Sequence, residues 1–163
     1  VRETEITNQI TKSWRRVKSE LWCHKIADPR YGLDTGTRAV DVIACWDGIA
    51  VGFEFKIVKH GISQPLRGVR ESQLDELEDI ERAGGVGFLI IVHYKGPRNK
   101  CAYAVPVDRW RAAAKVAKNA GRSSVPLNKF EDCRFEQKWN GGLLNWETEK
   151  IQERVDVAIY RFQ

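Results

Sequence analysis

The run Val40-Asp41-Val42-Ile43-Ala44-Cys45-Trp46-Asp47-Gly48-Ile49-Ala50-Val51-Gly52-Phe53-Glu54-Phe55-Lys56-Ile57-Val58-Lys59 holds one tight turn between two extended segments. Asp-Gly between apolar stretches is a strong hairpin signal, so the segment carrying Asp41 folds back beside the segment carrying Glu54. Side chains alternate along a strand. Glu54 and Lys56 therefore share one face, while Phe53, Phe55 and Ile57 take the other. Two carboxylates and an amine then converge at an open edge of the sheet. Magnesium takes oxygen ligands, commonly one or two carboxylates, and keeps its other positions for water and phosphate. That inventory suits hydrolysis of a phosphodiester. An Asp and a Glu-x-Lys on neighbouring strands also describe a ladder of cross-strand ion pairs. Against that stands the apolar character of Ile49 to Val58, since a central strand seldom carries charge without a use.

Outward from this stretch, 163 residues suffice for one domain with a proper core. The expectation is a single unit, with a core over about residues 1–105 and a C-terminal elaboration over about 106–163. Cys23, Cys45, Cys101 and Cys133 form no C-x-x-C, so neither a zinc site nor a redox motif is indicated, and buried free thiols are expected. No apolar run reaches membrane-span length and no signal pattern opens the chain. Both features, with the unpatterned cysteines, point to an intracellular protein with no membrane partner. The formal net charge of +5 suits a polyanionic partner.

Ile6, Ile10, Trp14 and Val17 recur at helical spacing, giving an amphipathic first helix from Glu3 to about Glu20. At about 100° per residue, Glu3 lies roughly 60° beyond the apolar stripe and Glu5 roughly 100°. Glu3 is thus the acid nearer to facing inward, although a first-turn acid also suits the helix dipole. Leu21 to Ile26 reads as a strand in which His24 has no assigned chemistry. The loop from Asp28 to Thr37 leads to Asp41 and, with Arg38, offers Arg30, Tyr31 and Arg38 as contacts for a phosphate backbone.

Beyond Lys56, the segment Lys59 to Gly68 is polar, broken by Gly and Pro, and expected to be a mobile substrate-contacting loop. Lys59, Arg67 and Arg70 are its candidate DNA contacts. A helix follows from Arg70 to Ala83, with Leu74, Leu77 and Ile80 inward and Gly84-Gly85 at its end. Gln73 precedes Leu77 by four residues and shares its face. There it could hold water or phosphate, or bond to local backbone. Val86 to Tyr94 and Cys101 to Val105 read as buried strands, and Val107 to Ala120 as a helix with solvated Arg109, Arg111, Lys115 and Lys118. The rest shows aromatic segments, an Asn140-Gly141-Gly142 turn and a final strand or helix near Val155 to Phe162.

Asp41, twelve intervening residues, Glu54-Phe55-Lys56, and Gln73 in the next helix together resemble the PD-(D/E)xK nuclease superfamily. The start Glu3-Thr4-Glu5-Ile6 is similar to the first helix of its Holliday-junction resolvases. Val40 stands where that family often has proline. The resemblance implies a restriction-endonuclease-like α/β fold, a central mixed sheet flanked by helices in the order αβββαβ. It also implies that Asp41, Glu54, the Phe55 main-chain carbonyl and Glu3 bind Mg²⁺, with Mn²⁺ able to substitute. Lys56 would position the attacking water and stabilise negative charge, with Gln73 assisting. The implied activity is a Mg²⁺-dependent DNA endonuclease acting on branched DNA as a homodimer. A restriction, repair or mobile-element nuclease of the same fold, or a DNA-binding module that does not cut, are the alternatives.

Overall fold

The structure is a computed structural model that describes residues 1–26 and 40–161. Along the chain run α1 (Glu3–Val17), β1 (Trp22–Lys25), β2 (Val42–Trp46), β3 (Ile49–Val58), β4 (Ser63–Pro65), α2 (Glu71–Arg82), β5 (Val86–Gly96) and β6 (Asn99–Pro106). Then come α3 (Val107–Asn119), β7 (Ser124–Pro126), β8 (Arg134–Phe135), β9 (Gln137–Asn140), β10 (Leu143–Trp146) and α4 (Glu149–Arg161). Asp47 and Gly48 take left-handed φ values of 51° and 82°, as a two-residue hairpin turn matched to strand twist requires. Trp46 consequently pairs with Ile49 and Val42 with Phe53.

Six strands form one sheet in the order β1-β2-β3-β5-β6-β8. Among the described residues only its β3–β5 pairing is parallel, and α2 supplies the crossover that parallel neighbours need. The expected mixed sheet and αβββαβ order are thus both present, as α1, β1, β2, β3, α2 and β5. Alternation divides the core between the two faces. Phe53 and Phe55 join Ile6, Ile10 and Trp14 of α1 and Ile151 and Val155 of α4. On the other face Val58, Leu89 and Ile91 meet Leu74 and Leu77 of α2 and Trp110 of α3. Glu54 and Lys56 point into this second layer, between strand and helices.

Several expectations need correction. Residues 59–68 are not a plain loop, because β4 pairs antiparallel with β7 and a 3-10 turn over Leu66–Gly68 leads into α2. The C-terminal part is no appendage: β8 is the sixth strand, and Trp146 and α4 fill the first layer; of the strand or helix expected near its end, the helix is present. Arg109 and Arg111 are not simply solvated. Arg111 meets Glu71, Asp75 at 2.8 Å and Glu78, so α3 gathers the acids of α2, while Arg109 holds Asp132. All four cysteines are free; Cys45 is exposed, and burial pushes the thiols of Cys23, Cys101 and Cys133 up from their ordinary range. Among the described residues no helix is long and apolar enough to cross a membrane.

Candidate functional site

Strand β3 outruns β2. Val42 is the last residue of β2 paired with it, opposite Phe53, so further along β3 no β2 residue takes up the amides on that side. Asp41 fills this position from just before the strand, not from within it as expected. Its Oδ2 accepts the Phe55 N–H at 2.7 Å, and its own carbonyl accepts the Ile26 N–H at 2.9 Å. The N–H and C=O of one residue leave an extended strand along the same edge, so the Phe55 carbonyl also faces the Asp41 side. An oxygen-rich corner results.

The second acid lies one strand across. Glu54 Oε1 accepts from Lys56 Nζ at 2.9 Å and from Gln73 Nε2. Gln73 Oε1 meanwhile accepts the Arg70 N–H at 3.0 Å, so this amide closes the start of α2 and reaches the carboxylate at once. The bond to local backbone offered by its position on the helix is present, and the amide's other end reaches Glu54. The acids are more enclosed than an open edge would leave them: Asp41 is 4 % and Glu54 2 % exposed, and the Lys56 side chain 13 %. Burying a carboxylate is costly unless it is paired, and Lys56 and Gln73 offset that cost for Glu54.

Glu3 stands on α1, outside the strands and α2 that carry these groups. Lys18, just after α1, meets Asp47 of the hairpin turn at 2.6 Å, which sets the start of α1 toward the opposite end of the sheet, where Lys56 lies. Glu3 is exposed there, in the layer across the sheet from Glu54. Glu5 is exposed too and turns back to accept the Arg2 N–H at 3.1 Å. Among the described residues no three His, Cys, Asp or Glu side chains form a metal-holding group. Arg30, Tyr31 and Arg38 lie outside the described residues. Lys59, Arg67 and Arg70 are exposed, and Arg70 adjoins Gln73 at the head of α2.

What seats α2 against the sheet is Gly87. A Cβ there would meet the Leu77 main-chain oxygen at 2.7 Å. Gly87→Ala should therefore cost about 1–3 kcal/mol in denaturant unfolding and lower activity, because Gln73 rides one turn before Leu77. Unchanged stability would show that the helix yields freely.

A family model described as "Recombination protein U" matches residues 33–148, more than half of the chain and including Asp41, Glu54, Lys56 and Gln73. The chain belongs to this family, RecU. The match begins after α1, so Glu3 falls outside it. A curated relative, the Holliday junction resolvase RecU of Pediococcus pentosaceus, is 28 % identical over 99 residues, covering 61 % of this chain and 48 % of the relative. This chain thus spans about half the length of that RecU. Among solved structures, Archaeoglobus fulgidus Hjc, a Holliday junction resolvase from an archaeal hyperthermophile, is similar with a TM-score of 0.43 and 15 % identity. That similarity covers 63 % of this chain and 78 % of Hjc.

Proposed function

We propose that this RecU-family chain is a Mg²⁺-dependent DNA endonuclease selective for branched DNA, cutting as a homodimer inside the cell. The observation that carries the reading is the end of β3, where Asp41 bonds the Phe55 amide and Glu54 bonds Lys56 and Gln73. Its donors are two carboxylates and a carbonyl, all hard oxygens, with no thiolate or imidazole among them. Such a set fits Mg²⁺, with Mn²⁺ a reasonable substitute, and leaves positions for water and phosphate oxygen. A bound divalent ion would polarise the phosphoryl group and supply hydroxide at neutral pH.

The chain's own groups then have separate tasks. Asp41 and Glu54 hold the ion, with Glu3 able to approach from its exposed helix start. Lys56 places its ammonium beside the attacked phosphate, where negative charge grows. Gln73 keeps the Glu54 carboxylate oriented and offers its amide to the water. Lys59, Arg67 and Arg70, with Arg30, Tyr31 and Arg38, grip the flanking backbone, which fixes register without reading sequence. Two symmetric cuts across a four-way junction call for a twofold dimer.

The test is a panel of labelled four-way junction, plain duplex and single strand with Mg²⁺, Mn²⁺ or chelator. Junction cleavage with either metal, little cutting of duplex, and none with chelator is expected. Equal cutting of duplex would favour a restriction or repair nuclease; binding with no cutting in any metal would leave a DNA-binding module.

A further inference from the structure

We propose that the groove beneath the tip of the β5–β6 hairpin is a further DNA-backbone contact, holding phosphates about two to four nucleotides from the bond that is cut. The proposal rests on the nuclease reading above and adds cations which that reading does not use.

The groove has a volume of about 420 Å³ and is lined by Lys95, Arg98, Lys100 and Arg134. Its two acids, Glu131 and Glu136, are both taken by Arg134, the first at 3.0 Å. Lys100 lines the groove from β6 but turns its ammonium to the other face of the sheet, where it donates to Gln9 Oε1 of α1 at 3.2 Å, whereas Lys95 and Arg98 are exposed and meet no carboxylate among the described residues. Two positive charges, Lys95 and Arg98, therefore stand at this concave surface with no carboxylate partner among the described residues. Solvated lysines are ordinary; two uncompensated cations and Arg134 around one concavity, close along the sheet to Lys56, are what a polyanion would select.

Strand register fixes where the groove lies. Lys56 pairs with Ile91 and Val58 with His93, and His93 lines the groove on the face that carries Glu54 and Lys56. Two residues along the strand and one strand across put His93 about 8 Å from Lys56, and Lys95 about 7 Å farther. At about 3.4 Å of helix rise per phosphate on one strand, this range spans roughly two to four phosphates. One wall is held in place by the His93 ring, whose Nε2 lies 3.0 Å from the Gly61 carbonyl oxygen.

The test compares Lys95→Ala/Arg98→Ala with Lys115→Ala/Lys118→Ala, which removes equal charge from exposed residues of α3. Four-way-junction binding is followed by fluorescence anisotropy across a salt series in chelator, with melting curves to check folding. The groove variant should bind at least about tenfold more weakly and flatten the log K against log salt slope by about two. The α3 variant should change little. Equal losses in both variants, or an unchanged slope in the first, would overturn the groove. Because binding is read without metal, a wild type that binds but never cuts would sink the nuclease reading alone.

Discussion

Asp41→Asn should abolish junction cleavage, by at least about 10³-fold, while junction binding and the melting temperature stay close to those of the wild type. Asparagine keeps an oxygen for the Phe55 N–H that Asp41 Oδ2 now accepts at 2.7 Å, so the corner of the sheet retains its bond. What disappears is the negative charge that would hold a divalent ion. Removing an acid cannot weaken attraction to phosphate, so binding should hold or tighten. Asp41→Ala is the poorer probe: it strands a buried amide, at a cost of about 1–3 kcal/mol, and confounds chemistry with folding. Glu54→Gln should behave like Asp41→Asn in single-turnover cleavage, although it also turns the 2.9 Å ion pair with Lys56 into a hydrogen bond to a neutral oxygen. Cleavage by Asp41→Asn within tenfold of wild type would remove this residue from the metal site, and most of the mechanism with it.

Much of that corner is legible in the sequence, because its determinants are local. Asp47-Gly48 sets a two-residue turn, and counting pairs outward from it brings Asp41 opposite Glu54. Alternation then separates Glu54 and Lys56 from Phe53 and Phe55, and the four-residue step to Leu77 turns Gln73 inward. Features that depend on distant partners stay hidden. Pairing of Ser63–Pro65 with Ser124–Pro126 joins two short, proline-flanked segments that carry no periodic signal. Arg111 finds three acids only because α3 lies beside α2. A helical wheel gives the rotation of Glu3 but not the layer its helix occupies, which explains why that acid is expected inward and found exposed. The burial of Asp41 and Glu54 is likewise a property of the packed layers and not of the hairpin. Lys95 and Arg98 look like ordinary surface charge until register brings their hairpin alongside Lys56.

The largest expected loss of stability is at Trp14. Its side chain is fully buried, with ring centroids 5.1 Å from Phe53, 5.7 Å from Trp46 and 6.2 Å from Phe135, and its Nε1 donates to the Glu147 carbonyl at 3.2 Å. One ring thus ties α1, the central hairpin and the C-terminal segment together. Trp14→Ala should cost about 3–5 kcal/mol, a large share of the roughly 5–15 kcal/mol that stabilises a domain. For a chain of this size that corresponds to a fall in melting temperature of roughly 6 to 20 °C. Trp14→Phe keeps an aromatic ring and gives up the bond to Glu147, so it should lose distinctly less. Trp139→Ala, at a side chain 75 % exposed on the β9–β10 hairpin, should stay within about 0.5 kcal/mol. Denaturant titration followed by circular dichroism measures all three, and a Trp14→Ala loss below about 1 kcal/mol would mean that these layers do not depend on one another. Cleavage gives the complementary readout. Trp14 packs on the face of β3 opposite Glu54 and Lys56, so well below its melting temperature Trp14→Ala should cut at nearly the wild-type rate. Asp41→Asn should fail at every temperature, and that contrast separates a residue that builds the sheet from one that works at its edge.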